Sequence, residues 1–269
     1  MADASKKVDY RVADGVALLT LVEPPANTYS YEMMRDLDAA ILEARMDRAV
    51  HVIVITGAGD KFFCAGATIG MLKDADPDYK YYFCLHANET LNRLEQTPKL
   101  VIAALNGHTV GGGLEVAMAA DIRIARKDGG KIGLPEVSLG VLPGTGGTQR
   151  LARLVGKARA IELMIHGRLM TMDEAATAGL VSEVWDANRL GGKPFVEVVL
   201  EYARQFTPPH KASRAVGRIK RAVQSGLEAG FAEGLSIERE LQQLLFQSDD
   251  AKEGIAANLE KRTPKFTGN

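Results

Sequence analysis

Two unbroken apolar runs, HVIVITG (51–57) and LVIAALNG (100–107), constrain the fold more than any other feature of this sequence. Both are short, and each is closed by a glycine. A continuous apolar run of this length is typical of a strand covered on both faces, because a strand with one wet face would alternate polar and apolar residues. Such strands occur in parallel sheets flanked by helices, so we expect an α/β core.

Strand and helix patterns alternate around these runs over the first two thirds of the chain. Residues 8–22 predict a hairpin around Asp14-Gly15, and Ser30 is placed to cap a helix that ends near Ala49. One face of that helix is expected to carry Met33, Met34, Leu37, Ile41 and Leu42. Other strands are expected at 121–125 and 181–184, loops at 57–70 and 133–147, and helices at 78–96, 112–120, 148–154, 157–165 and between the capping pair Thr171/Glu174 and Gly179.

The last third of the chain carries only helical patterns. They cover about 190–206, 210–225, 229–246 and 249–260. The sequence therefore predicts two parts, an α/β core over residues 1–190 and a C-terminal helical region over residues 191–269.

The composition argues against several classes of protein. Of the 269 residues, 33 are basic and 34 acidic, a balance that gives no attraction to nucleic acid or to an anionic membrane. Cys64 and Cys84 form neither a disulfide framework nor a metal motif, and the N-terminus lacks the apolar segment of a secretion signal. No run approaches the roughly 18 apolar residues of a membrane span. We expect a cytoplasmic protein, or an organellar one whose transit peptide has been removed.

The stretch from Asn106 to Arg150 holds the candidate chemistry. It contains two glycine clusters and two glutamates in apolar company, Glu115 in GGGLEVAM and Glu136 in GLPEVSLG. Removing a carboxylate from water costs several kcal/mol, so carboxylates are rarely buried without a partner. Either glutamate alone could instead be a first-turn acid favoured by a helix dipole. Together they indicate an acid/base pair beside an anion-binding turn.

Other motifs fail on their spacing. VIVITGAGDKF lacks the third glycine of a dinucleotide fingerprint, and PGTGGTQ (143–149) lacks the Gly-Lys-Ser/Thr of a nucleotide-binding loop. Ser138 lacks the Gly-x-Ser-x-Gly context of a nucleophile, and the histidines have no metal-ligand spacing. We therefore expect no metal, nucleotide or serine-nucleophile site.

Five segments, taken in order, carry a likeness to one known family. They are FFCAGATI (62–69), NGHTVGGGLEVAMAADIRIA (106–125), GLPEVSLGVLPGTGGTQRL (133–151), VGKARAIELMIHGRLMTMDEAATAGLVSEV (155–184) and DDAKEGIAANLEKRTPKF (249–266). With them the chain resembles the crotonase, or enoyl-CoA hydratase/isomerase, superfamily along nearly its whole length. The resemblance implies a spiral of βαβ units with a C-terminal helical region.

The resemblance also implies an oxyanion hole for the thioester carbonyl of an acyl-CoA. Its donors are the backbone N–H groups matching Ala67 and Gly112, and each such donor is typically worth about 3–4 kcal/mol of transition-state stabilisation. Glycines suit this role, because they let backbone approach the substrate closely. Further contacts with the substrate are implied for Ala65, Gly66, Thr68, Ile69, Gly111, Pro135 and Gly144.

The implied catalytic pair is Glu115 and Glu136. Glu115 would act as base toward a water, and Glu136 would supply the proton to Cα of a 2-enoyl-CoA, giving 3-hydroxyacyl-CoA. CoA enters as part of the substrate, and no further cofactor is expected. Many isomerases, hydrolases and decarboxylases of the superfamily lack one glutamate, so the retained pair favours a hydratase. The alternative is another crotonase reaction: an enoyl-CoA isomerase, a ring-opening hydrolase, or a hydratase for branched or dienoyl acyl-CoA.

The resemblance bears on assembly and specificity as well. It implies self-association as trimers, commonly dimers of trimers. Thr68 stands where many members carry Asp, and Asn258 replaces a frequent phenylalanine, so both bear on how the acyl-CoA is held. Some superfamily members bind RNA or serve as scaffolds. The balanced charge argues against RNA here, and the intact glutamate pair argues against an inactive scaffold.

Overall fold

Strands in two sheets form the centre of the computed structural model, which describes residues 6–269. They are β1 (Val8–Ala13), β2 (Val16–Leu21), β3 (Val52–Gly57), β4 (Phe62–Cys64), β5 (Leu100–Leu105), β6 (His108–Val110), β7 (Ile122–Arg126), β8 (Ile132–Gly133) and β9 (Glu183–Trp185). The main sheet has the order β1-β2-β3-β5-β7-β9, and the second has the order β4-β6-β8. Every pairing is parallel except that of β1 with β2. The expected α/β fold is confirmed.

Helices cover both sheets and make up most of the last third of the chain. They are α1 (Tyr31–Met46), α2 (Ile69–Asp74), α3 (Pro77–Gln96), α4 (Gly112–Met118), α5 (Gly147–Val155), α6 (Lys157–Ile165), α7 (Met172–Thr177), α8 (Ala187–Leu190), α9 (Phe195–Arg204), α10 (Ser213–Glu228), α11 (Phe231–Phe246) and α12 (Asp249–Leu259). None of the helices formed by residues 6–269 combines the length and the apolar composition needed to cross a membrane.

The chain passes from the main sheet to the second sheet three times, from β3 to β4, from β5 to β6 and from β7 to β8. Each turn of this spiral adds one strand to each sheet. Asn106 holds the second crossing, because its buried side-chain amide donates to the carbonyls of Gly57 (2.9 Å) and Gly59 (2.6 Å). Since β4, β6 and β8 are parallel, the segments that leave their carboxyl ends lie side by side.

The two apolar runs fill the core on both faces of the main sheet. Side chains alternate along β3, where Ile53 and Ile55 face the cluster that includes α1 and α3, while Val52 and Val54 face the cluster that includes α9. All six residues of β3 and of β5 are buried. This arrangement confirms the prediction that both runs are covered on two faces.

Several local predictions are confirmed. Asp14 and Gly15 both have positive φ, as a tight hairpin turn between β1 and β2 requires. Ser30 accepts a hydrogen bond from Met33 N at the start of α1. The Thr171/Glu174 capping box at the start of α7 is present in both directions.

Other local predictions are wrong. Leu42 lies on the outer side of α1 and is exposed, and α1 ends at Met46 rather than near Ala49. The helix expected over 190–206 begins only at Phe195 as α9, because Gly191 and Gly192 adopt positive φ after α8, which ends at Leu190. The loop expected at 57–70 contains β4 and the start of α2, and the one expected at 133–147 contains a 3₁₀ turn (Glu136–Leu139). Residues 1–5, which the predicted core range includes, lie outside the described residues.

Candidate active site

Two glycine-containing segments meet at the carboxyl ends of β4 and β6. Gly66 has φ +84°, and a Cβ placed on it would lie 2.9 Å from the backbone N of Gly112 and 3.1 Å from the carbonyl of Val110. A side chain at position 66 would therefore push the segments apart. The sequence prediction that Gly66 permits a close backbone approach agrees with this packing.

The two backbone N–H groups named as oxyanion donors stand on these segments. Ala67 follows Gly66, and Gly112 is the first residue of α4. In the described part of the chain, neither N–H donates a hydrogen bond to a protein acceptor. Both groups are therefore available to a ligand, since buried backbone donors are otherwise paired.

Glu115 lies one turn into α4 and is buried. Its Oε1 accepts from the backbone N–H groups of Thr145 (2.8 Å) and Gly147 (2.7 Å), and its Oε2 accepts from the Thr145 hydroxyl. The neighbours of Glu115 along the sequence are apolar, but the 143–147 segment folds over its side chain and supplies these three donors.

Glu136 opens the 3₁₀ turn that follows β8 and is half-buried. Its Oε1 lies against Gly111, where an added Cβ would be 3.0 Å away. Its Oε2 is buried and accepts no hydrogen bond from the described residues. Burial raises the pKa of Glu136 to about 7, and the charge of Glu115 adds to that increase.

The environments of the two glutamates are therefore opposite. Glu115 is held by three donors, whereas Glu136 has a buried Oε2 with no donor among the described residues and lies near the negative charge of Glu115. Below about pH 7 Glu136 therefore holds a proton, in the same site as a carboxyl group that three donors fix in place.

Most of the other predicted contact residues lie on the segments already described. Thr68 donates its backbone N–H and its hydroxyl to the carbonyl of Tyr29. Ile69 differs from the rest, because it begins α2 and is 63% exposed. Ala65 lies in the loop after β4, and Gly111 lies in the turn before α4. Pro135 lies at the start of the 3₁₀ turn, and Gly144 lies beside Cys84.

Three further residues touch this site but were not predicted from the sequence: Tyr29, Thr145 and Gly147. Thr145 and Gly147 belong to the PGTGGTQ segment, which was set aside because it lacks the residues of a nucleotide-binding loop. Its glycine-rich pattern did signal exposed backbone N–H groups, but the acceptor proved to be a protein carboxylate. Tyr29 carries no signal in the sequence, because it comes close to Thr145 only after folding.

Known proteins are similar to this chain in both sequence and fold. The model of the enoyl-CoA hydratase/isomerase family matches residues 11–269. A probable enoyl-CoA hydratase of Rhizobium meliloti is 42% identical over 257 residues, covering 93% of this chain and 94% of the relative. A short-chain-enoyl-CoA hydratase of Clostridium acetobutylicum is 37% identical, with 92% of each chain covered. A crystal structure of enoyl-CoA hydratase from Geobacillus kaustophilus superposes with a TM-score of 0.93 at 44% identity, covering 98% of each chain.

Proposed function

Since this chain belongs to the enoyl-CoA hydratase/isomerase family and performs crotonase-type chemistry on acyl-CoA, we propose that it is a hydratase. It adds water reversibly across the Cα=Cβ bond of a 2-enoyl-CoA and gives 3-hydroxyacyl-CoA. The observation that carries this proposal is the opposite environment of Glu115 and Glu136 within one site. Hydration needs a base and an acid at the same time, and this pair supplies both.

The thioester carbonyl is proposed to accept hydrogen bonds from the N–H groups of Ala67 and Gly112. Negative charge develops on that oxygen as water attacks Cβ, because the double-bond electrons move toward the carbonyl. Two donors fixed by the backbone stabilise the resulting enolate without reorganisation. Their lack of acceptors among the described residues supports this role.

The two glutamates are proposed to transfer the protons of this reaction. As the water oxygen bonds to Cβ, Glu115 takes a proton from the water, and Glu136 delivers its own proton to Cα of the enolate. The elements of water are added, and the pair ends with its single proton on Glu115 instead of Glu136. Proton exchange within the site or with solvent restores the starting state. The two carboxyl groups supply all the acid/base chemistry of this reaction, so we propose that CoA, as part of the substrate, is the only cofactor involved.

Another reaction of the family remains the alternative. An isomerase would move the double bond by shuttling one proton between carbons, which a single carboxyl group can do. A ring-opening hydrolase would cleave a C–C bond instead. Product analysis after incubation with 2-enoyl-, 3-enoyl-, branched and dienoyl-CoA esters distinguishes these activities. Hydration of the 2-enoyl ester with no double-bond migration is the expected result.

The deciding experiment follows crotonyl-CoA hydration by the loss of enoyl absorbance. Glu115→Gln and Glu136→Gln are each expected to lose at least about 100-fold in kcat, the low end for a positioned acid or base. Glu89→Gln, an equivalent change at an exposed position of α3, serves as the control and should retain activity. If the unaltered protein binds CoA esters but does not hydrate crotonyl-CoA, the hydratase proposal fails for this substrate and the panel of esters identifies the reaction.

Self-association is also proposed, as trimers or dimers of trimers. The supporting observation is an exposed apolar stripe along α10, formed by Ile219, Val223 and Leu227. Phe231 and Phe246 at the two ends of α11 are also exposed. Apolar patches of this kind on a folded chain commonly mark protein interfaces.

A further inference from the structure

Thr145 holds Glu115 by two groups at once. Its backbone N–H donates to Oε1 of Glu115 (2.8 Å), and its hydroxyl contacts Oε2. An ionised carboxylate can only accept hydrogen bonds, so the hydroxyl of Thr145 must donate to it. Both carboxylate oxygens are then fixed, one by backbone and one by a side chain.

Tyr29 contacts the hydroxyl group of Thr145 in turn. Its phenol oxygen lies 3.2 Å from the Thr145 hydroxyl, and both side chains are buried. Because the Thr145 proton points to Glu115, the phenol must donate to Thr145 Oγ1. Burial and the charge of Glu115 raise the pKa of Tyr29 well above its usual value, so the phenol keeps the proton that it donates. The hydrogen bonds therefore run in one direction, from Tyr29 through Thr145 to Glu115.

Tyr29 also contacts the residues around the proposed oxyanion donors. Its backbone N–H donates to the carbonyl of Gly66 (2.9 Å), and its carbonyl accepts from Thr68 N–H (3.1 Å). A side chain on Gly112 would collide with the Tyr29 phenol. One residue thus touches the segment after β4, the start of α4 and the partner of Glu115.

From these contacts we infer that Tyr29 and Thr145 are positioning residues, which hold the Glu115 carboxylate in one orientation and in register with the oxyanion donors. The inference rests on the proposed function, in which Glu115 is the base. A carboxylate on a flexible side chain would otherwise sample several rotamers, and a small misplacement of a catalytic group lowers the rate strongly. The pair acts on kcat, because neither hydroxyl is assigned a contact with the acyl-CoA.

The test compares Thr145→Val, Thr145→Ser, Tyr29→Phe and the double variant Tyr29→Phe/Thr145→Val in crotonyl-CoA hydration. Thr145→Val should lower kcat at least about 10-fold, the effect of losing one hydrogen bond to a charged group, with KM changed less than about 2-fold. Tyr29→Phe should lower kcat about 3- to 10-fold. The double variant should match Thr145→Val within about 2-fold, because the phenol acts only through Thr145. Thr145→Ser restores the hydroxyl and should recover most of the activity.

Control variants separate positioning from general damage to the fold. Matched controls are Thr90→Val and Tyr10→Phe, which remove buried hydroxyl groups that have no hydrogen-bond partner in the described residues. Both controls should keep kcat within about 2-fold.

The possible failures are distinguishable. If Glu115→Gln loses activity while Thr145→Val and Tyr29→Phe behave like the controls, the positioning inference is wrong and the hydratase proposal stands. Retained activity in Glu115→Gln overturns both. If the unaltered protein does not hydrate crotonyl-CoA, the NMR spectrum of [δ-¹³C]glutamate, with the Glu115 signal identified by Glu115→Gln, decides the inference. A Glu115 signal that shifts or broadens in Thr145→Val but not in Thr90→Val supports it, and a signal unchanged in both contradicts it.

Discussion

Glu136 is the residue whose protonation should control the alkaline side of the reaction. Its pKa is raised to about 7, first by burial and then by the charge of Glu115. The proposed mechanism needs one proton on the glutamate pair, and above about pH 7 that proton is lost. We expect kcat/KM for crotonyl-CoA hydration to fall about tenfold per pH unit well above this value. Steady-state rates measured between pH 5 and 10 test this decrease in kcat/KM on the alkaline side.

Dehydration of 3-hydroxybutyryl-CoA is the internal check on this pH dependence. Hydration neither releases nor takes up a net proton, so the forward and reverse kcat/KM values should share the same alkaline limb. A hydration rate that is constant to pH 9 would contradict a protonated Glu136.

The same carboxyl group should make stability depend on pH. Its pKa is about 7 in the folded protein and 4.5 in the reference state, so the fold binds this proton more tightly than the unfolded chain does. Stability from this group is therefore present below about pH 4.5 and is lost as pH rises toward about 7. Glu136→Gln removes the effect. We expect the Tm of Glu136→Gln minus that of the unaltered protein to increase between pH 5 and pH 8. A constant difference in calorimetry across this range would show that Glu136 is ionised in the fold at low pH.

The sequence could predict these two glutamates but not their partners. Apolar neighbours along the chain identified Glu115 and Glu136 as unusual. The difference between them depends on Thr145 and Gly147, which lie 30 and 32 residues away from Glu115. Contacts at such separations arise from tertiary packing and leave no local pattern. For this reason the acid and base roles came from resemblance rather than from the residues themselves.

At the scale of elements, the close approach of the segment after β4 to the start of α4 makes a specific demand on Gly66. Gly66→Ala forces a side chain into a backbone with φ +84° and places its Cβ 2.9 Å from Gly112 N. We expect a loss of at least about 100-fold in kcat, comparable with removal of an oxyanion donor, since both donors would be displaced. Crotonyl-CoA hydration measures the loss.

Gly59→Ala is the matched control for that variant. Gly59 also has a positive φ, +74°, but a Cβ there meets nothing within 4 Å. Both variants carry the same kind of backbone strain, of order 1 kcal/mol, so both should lower Tm slightly. Only Gly66→Ala should lower kcat. Equal activities would mean that the approach of the two segments is not needed for the reaction.

The long elements were predictable and the short ones were not. The runs at β3 and β5 are six residues long and entirely buried, so hydrophobicity alone identifies them. The second sheet consists of strands of two or three residues, too short for any periodicity to show. Residues of β4 were therefore interpreted as part of a loop, and β6 and β8 were not predicted as strands, although this sheet aligns the segments that carry the candidate site. The fold class followed from the main sheet, whereas the position of the site depends on the second one.

At the scale of the whole molecule, the apolar stripe of α10 has no cover within the described chain. Leu227 is 77% exposed, and Ile219 and Val223 continue the stripe at four-residue spacing. Association would bury these side chains, and each fully buried leucine or isoleucine contributes about 1.5–3 kcal/mol. In light scattering coupled to gel filtration, we expect a mass three or six times the 29.0 kDa of one chain.

Leu227→Glu tests whether α10 forms that interface. Burying an unpaired carboxylate costs several kcal/mol, so this variant should elute at a lower mass or with a dissociation constant raised at least about 100-fold. Met46→Glu provides a matched control, because Met46 is 78% exposed at the end of α1 and does not belong to the α10 stripe. Since α10 also contributes Lys220 to a buried ion pair with Asp121, 2.9 Å away, circular dichroism should confirm that Leu227→Glu remains folded. A monomeric unaltered protein would contradict the proposed assembly. An assembly that tolerates Leu227→Glu but dissociates with Met46→Glu would place the interface on the face of α1 instead.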